Sequence, residues 1–167
     1  MIEIRKASLD QLIEVQKIAY ATWPETFSNI LTPVQIDYML NWMYDLDALK
    51  NQMNEKNHVF LLASEDEKFL GFCSYELASE NSKKVKIHKI YILPNTQGKG
   101  IGRKLIDEVK KLTIQNGFGS LYLNVNRFNL GAIDFYLYLG FKEVRKEVID
   151  IGNGFIMDDL VLEMEVQ

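Results

Sequence analysis

The chain has 167 residues, 47% of them hydrophobic, and a formal net charge of −4. These values fit a single domain over residues 1–167 with a sizeable core; no apolar run is long enough to span a membrane, and the negative charge argues against nucleic acid and leaves room for a cationic partner. A single cysteine, Cys73, excludes an internal disulfide, and the polar start Met1-Ile2-Glu3-Ile4-Arg5 lacks an apolar leader, so the expected location is cytoplasmic.

In chain order, residues 2 to 6 alternate as a strand. Ser8 and Gln11 have capping-box spacing before a helix through Leu12, Val15, Ile18 and Ala19. A turn is expected around Trp23-Pro24-Glu25. Thr32-Pro33-Val34-Gln35 starts a second helix, with Thr32 as N-cap and Pro33 at the first helical position. Asp45 or Asp47 restarts a third. Residues 58–63 and 69–77 read as a hairpin and 85–93 as a long strand. Then come helix 101–115, strand 120–126 and helix 130–139, stopped by Gly140. Residues 141–151 and 155–164 form a second hairpin about Gly152-Asn153-Gly154. The order predicts a mixed sheet with helices on both faces.

Gln97-Gly98-Lys99-Gly100-Ile101-Gly102-Arg103 lies between the long strand and the helix at 101. Strand, glycine-rich turn and helix put free amide groups where a phosphate can sit. A P-loop is excluded, because Gly102 is followed by Arg103 and Lys104 rather than Lys and Ser or Thr. The dinucleotide fingerprint fails because position 103 is Arg where it needs glycine.

Gln97-x-x-Gly100-x-Gly102 after Ile90-Tyr91-Ile92-Leu93-Pro94 resembles the acetyl-CoA signature of the GNAT N-acetyltransferase superfamily. Asn129-x-x-Ala132-x-x-Phe135-Tyr136-x-x-x-Gly140-Phe141 resembles that family's later motif. The resemblance covers residues 86 to 142 and implies an α/β (α+β) fold. Its mostly antiparallel twisted sheet would have about seven strands, with helices on both faces. It also implies acetyl-CoA as cosubstrate and a small-molecule amine as partner. The backbones of Gly98, Lys99, Gly100, Ile101, Gly102 and Arg103 would hold the pyrophosphate. Those of Ile90, Tyr91 and Ile92 would pair with the pantetheine arm, and Gln97 and Asn129 would border the cofactor. Tyr136 would protonate the leaving thiolate.

For the base that deprotonates the amine, many members carry a glutamate where this chain has His88, and an acid where it has Asn124. His88 still suits the role, with an ordinary pKa of about 6.5, and alternation would place it on one strand face with Ile90 and Ile92. His58 and Cys73 read as structural. No metal site is expected, and the oligomeric state is left as monomer or homodimer. The stretch Ala21-Thr22-Trp23-x-Glu25-Thr26-Phe27 and Thr32-Pro33-x-Gln35-x-x-Tyr38-Met39 resembles the bacterial spermidine/spermine N-acetyltransferase branch. On that resemblance Trp23, Glu25, Asp37 and Tyr38 would meet a polyamine. The alternatives are a protein N-terminus or lysine as acceptor, or an idle acyl-CoA-binding sensor domain.

Overall fold

The computed structural model describes residues 1–96 and 98–166. Gln97 lies outside the described residues. Seven strands make one sheet: β1 (Glu3–Lys6), β2 (Val59–Glu65), β3 (Lys68–Glu76), β4 (Lys84–Ile92), β5 (Ser120–Asn126), β6 (Lys142–Gly152) and β7 (Phe155–Glu165). Five α-helices connect them: α1 (Leu12–Phe27), α2 (Pro33–Tyr44), α3 (Leu46–Asn54), α4 (Ile101–Gln115) and α5 (Leu130–Leu139). Among the described residues, no helix is long and apolar enough to cross a membrane.

The strand order is β1-β2-β3-β4-β5-β7-β6. Each neighbouring pair runs antiparallel except β4 with β5, which run parallel. A parallel pair needs a crossover connection, and α4 supplies it. The alternating side chains of the strands feed two cores. Leu61, Cys73, Ile87, Leu123 and Leu162 pack under α4 and α5. Phe60, Leu62 and Phe72 pack under α1, α2 and α3.

The turn expected at Trp23-Pro24-Glu25 is absent: α1 runs through Pro24 to Phe27. The buried series Ile18, Ala19, Thr22, Trp23 and Phe27 keeps helical spacing across the proline. Packing along that stripe outweighs the one amide donor that Pro24 gives up near the helix end. The Ser8–Gln11 pair heads a 3-10 turn, Leu9–Gln11, rather than α1 itself, with Gln11 Oε1 accepting from the Ser8 amide at 2.9 Å, and α1 follows from Leu12. Thr32 Oγ1 accepts from the Gln35 amide at 3.2 Å to cap α2, and Gly140 ends α5 with φ 108°.

Two irregularities in β4 shape the middle of the sheet. Its pairing with β5 ends at Ile87↔Leu123, although β5 continues to Asn126. Meanwhile Ile90, Tyr91 and Ile92 remain paired to Cys73, Phe72 and Gly71 of β3. The parallel strands therefore part, and the edge of residues 90–92 that faces β5 is left unpaired. The second irregularity is a register shift: Ser74 pairs with Lys89 and Tyr75 with Ile87, so β4 carries one extra residue at His88. Such a bulge turns two successive side chains to one side.

Candidate active site

At the head of α4, Gly98 and Gly100 have φ of 88° and 71°. This left-handed region costs ordinary residues strain and costs glycine none. A Cβ built on either residue would meet nothing within 4 Å. The loop therefore opens onto free space in front of the helix amides, as an anion cradle requires. Gly102 has a different reason to be glycine. A Cβ there would come within 3.1 Å of Ile92 Cδ1 and Phe135 Cζ, so it lets α4 sit close to β4 and α5.

The basic groups of the loop stay at the surface. Lys99 Nζ reaches Glu65 Oε2 at 2.6 Å, and Arg103 lies over the Tyr138 ring at 5.6 Å. Lys104 is exposed. An exposed ion pair is worth little, so the Lys99 ammonium can exchange Glu65 for a phosphate. Asn129 caps α5, its Oδ1 accepting from the Ala132 amide at 3.4 Å.

Tyr136 sits on α5 in the core beneath the parted strands, 7% exposed, its ring 5.7 Å from that of Phe141. Burial, with Tyr91 and Cys73 as neighbours, pushes its phenol pKa well up. The hydroxyl therefore stays protonated across the physiological range. Cys73 is fully buried, and burial pushes its thiol up as well. A thiolate is not available there.

His88 does not share a face with Ile90 and Ile92, because the bulge intervenes. It lines the same cleft as Lys89, while Ile87 and Ile90 both pack into the core under α4. This cleft, about 780 Å³, opens between β4 and the α2–α3 segment. His88 Nε2 is 2.9 Å from Glu76 Oε1, and the His88 ring stacks on His58 with centroids 3.9 Å apart and planes 17° apart. Burial, His58 and the lysines at 86, 89 and 56 hold the His88 pKa well below the ordinary imidazole range. Burial and the same three lysines bring His58 down to about 4.

His58, Glu76 and His88 present three ligand-type atoms within 4.8 Å of one another. Nearly parallel rings, however, aim their lone pairs side by side rather than at one point, and the surrounding lysines oppose a cation. The trio fits a neutral hydrogen-bonded stack better than a metal centre.

Lys89 was not visible as a site residue in the sequence. It is 8% exposed, donates to Gln52 Oε1 at 2.7 Å, and lies over the rings of Tyr44 and Phe60. Burial, then Lys56 and Lys86, lower its pKa to about 7.

Of the residues assigned to the acceptor, Trp23 is 2% exposed, packed against Phe27, Tyr44 and Tyr91, with Nε1 donating to the Tyr44 hydroxyl at 3.3 Å. Its ring is held in the core rather than offered to a ligand. Glu25 and Asp37 are exposed. Tyr38 stacks on Trp42 and donates to the Ile151 carbonyl at 2.6 Å, tying α2 to β6. The buried acid near the parted strands is instead Asp159 of β7, beside half-buried Asp158 and Glu147. Asn124 Nδ2 donates to Glu147 Oε2 at 2.9 Å and to Asp159 Oδ2 at 3.3 Å. Nothing in local sequence pattern groups these residues; only strand register brings them together.

Residues 13–141 match the family model described as the acetyltransferase (GNAT) family. The chain belongs to the GNAT family. A spermidine N(1)-acetyltransferase of Thermoplasma acidophilum is 27% identical over 161 residues, 94% of this chain and 96% of that protein. The crystal structure of the PaiA N-acetyltransferase of Thermoplasma acidophilum in complex with coenzyme A superposes with a TM-score of 0.83. It is 26% identical, and the match covers 99% of each chain. A peptidyl-lysine N-acetyltransferase of Salmonella typhimurium is 37% identical over 73 residues, 43% of this chain and 47% of that protein. This GNAT chain is therefore an acetyl-CoA-dependent N-acetyltransferase, and the seven-stranded sheet with helices on both faces is the family fold.

Proposed function

We propose that this GNAT enzyme acetylates a small cationic primary amine, with polyamines the favoured class, by direct attack while both substrates are bound. The observation that carries the reading is the carboxylate cluster beside the parted strands: buried Asp159, with half-buried Glu147 and Asp158, which are ion-paired to Arg145 and Arg127. The cleft that His88 lines, with Lys56 and Lys89 in its wall, is cationic. A polycation would be drawn to the first and repelled by the second. The full-length relative named as a spermidine acetyltransferase supports the same class. The buried, protonated Cys73 supports direct transfer over an acyl-cysteine route.

In this reading the amides of Gly98, Lys99 and Gly100 and the first turn of α4 hold the pyrophosphate, where the helix dipole favours an anion. The unpaired edge of Ile90, Tyr91 and Ile92 receives the pantetheine amides as a strand edge receives another strand. Gln97 and Asn129 border the same cofactor. The amine nitrogen attacks the thioester carbonyl, the C–S bond breaks, and the Tyr136 phenol gives its proton to the sulfur. His88, neutral and bonded to Glu76, orders the cleft wall beside the acceptor. Tyr38 ties the β6–β7 hairpin to α2. Trp23 acts through packing under Tyr91, and Glu25 and Asp37 contribute only long-range attraction.

The test is thiol release from acetyl-CoA with a panel of amines. Spermidine and its neighbours should turn over, and a neutral-tailed amine of equal length should do so poorly. A panel in which only lysine peptides turn over would replace this reading with the one that the Salmonella relative, matched over under half of each chain, favours.

A further inference from the structure

Direct attack by an amine leaves a proton to be placed. A free alkylamine resembles lysine, with a pKa of about 10.4, and arrives as an ammonium at neutral pH. His88 is a poor acceptor for that proton. Its pKa is depressed, and its Nε2 is engaged with Glu76.

Asn124 stands on β5 one residue beyond the last β4–β5 pair, Ile87↔Leu123. Its amide nitrogen bridges Glu147 and Asp159, and these two carboxylates are treated differently. Glu147 also accepts from Arg145 Nε at 2.9 Å, and the bonds from Asn124 and Arg145 hold its carboxyl below the usual range. It stays charged. Asp159 is 5% exposed, and only its Oδ2 is bonded. Its Oδ1 is buried with no hydrogen-bond partner among the described residues. A buried carboxylate oxygen without a donor is costly, so such an atom calls for an explanation.

Its place in the sheet supplies one. Asp159 is paired with Asn126, in the part of β5 that has left β4, and the β4 residue Tyr91, whose phenol is pushed up by burial, then Tyr44 and then Asp159, belongs to the unpaired stretch across that gap.

Resting on the amine-acceptor reading above, we propose that Asp159 is the catalytic proton acceptor. An N–H of the incoming R–NH3+ points at Oδ1. That N–H bond breaks with its electron pair left on nitrogen, and an O–H bond forms at Asp159. The freed lone pair forms the N–C bond, the C–S bond breaks, and the second nitrogen proton leaves with the sulfur, through Tyr136, as the thiol. Asp159 returns its proton to water when the product departs. One proton is released per turnover, and the charges balance. Asn124 is a positioning residue that orients Oδ2 and so turns Oδ1 to the gap. Glu147 supplies the standing negative charge that draws the cation in.

Several groups surround Asp159: Asn124 on β5, Glu147 on β6 with its partner Arg145, Asp158 beside it with its partner Arg127, and Lys86 and Tyr91 on β4. Burial raises its pKa. The Asn124 bond and Lys86 oppose this, Glu147 and Asp158 add to it, and the net is upward. A carboxylate with a raised pKa binds a proton more readily than an exposed one.

The test compares wild type with Asp159→Asn on the best ammonium acceptor of the panel and on O-methylhydroxylamine, which arrives unprotonated. Asp159→Asn should lower kcat for the ammonium by about 100-fold near neutral pH. The deficit should shrink as pH approaches the amine's own pKa. The neutral acceptor should lose far less, and the rise in Tm with acetyl-CoA should be unchanged. A folded Asp159→Asn with the wild-type pH profile, or with equal losses on both acceptors, overturns the proposal. If that variant does not fold, Asp159→Glu decides: the acidic limb of its pH profile must shift, and an unmoved limb overturns the proposal. Peptide acceptors in place of polyamines would end the polyamine reading alone, since the Asp159 comparison runs unchanged on that ammonium. A wild type that acetylates only neutral amines overturns the Asp159 assignment.

Discussion

Tyr136 and Lys89 are both buried, and burial acts on them in opposite directions. It keeps the Tyr136 phenol protonated, which is what a donor to a leaving thiolate needs. Tyr136→Phe should lower kcat by about 10²-fold or more while leaving acetyl-CoA affinity nearly unchanged, because the hydroxyl acts on charge that forms only in the transition state. Turnover at the wild-type rate, with chemistry rate-limiting, would contradict the role.

Lys89 shows the cost of burying a cation. Its folded pKa, about 7, lies below the unfolded value of about 10.4. Between those values the unfolded chain binds more protons, so Lys89 makes stability rise with pH across that window. Below it the penalty on the charged form is full; above it the penalty is gone. Lys89→Met should therefore raise Tm relative to wild type at pH 6, with an advantage that fades by pH 10. A change in Tm of about 2–4 °C corresponds to 1 kcal/mol in a chain of this size. A difference independent of pH would show that Lys89 is charged in the fold without penalty.

Among the elements, those with strong local signals were legible in sequence. Helices 101–115 and 130–139 and strand 120–126 stand at the predicted limits, because glycines mark the turn before α4 and the end of α5, and apolar spacing fills the rest. The glycine turn proposed to hold the cofactor was legible for the same reason. Its test is Gly100→Asp. Aspartate tolerates the left-handed conformation better than most residues, so the fold should survive, but a carboxylate would stand in the space that the pyrophosphate needs. Acetyl-CoA should raise the Tm of wild type by mass action and leave that of the variant unmoved. An equal shift in a folded variant would remove this loop from the cofactor site.

What the sequence hid has two causes. Pro24 reads as a breaker, and only packing of Trp23 and Phe27 in the core shows why α1 continues. The extra residue at His88 is invisible in a string of letters, yet it reverses the facing of the strand. It brings Lys89 beside His88 and parts His88 from Ile90. The meeting of Asn124, Glu147 and Asp159 depends on the register of three strands, which no local spacing encodes.

Charge is unevenly spread about the gap between β4 and β5. Lys56 and Lys89 line the His88 cleft, and Glu147, Asp158 and Asp159 gather beyond the gap, with Arg145 and Arg127 paired to the first two. A chain of net charge −4 should attract a polycation at long range, and raised salt should weaken that attraction as the Debye length falls below about 10 Å. The KM for spermidine should therefore rise with ionic strength, and more steeply than that for an amine with a neutral tail. Glu147→Gln should flatten this salt dependence while sparing acetyl-CoA binding. An undiminished slope would place the attracting charge elsewhere, for example at Glu25 or Asp37.

The central claim is that this GNAT enzyme moves acetyl from acetyl-CoA to a small cationic amine. The most direct measurement is kcat/KM for spermidine beside that for a lysine peptide and a neutral-tailed amine, read as thiol release with the acetylated product weighed by mass spectrometry. The account predicts monoacetylated spermidine as the preferred product by at least tenfold. Preferred acetylation of the peptide, with spermidine untouched, would contradict it.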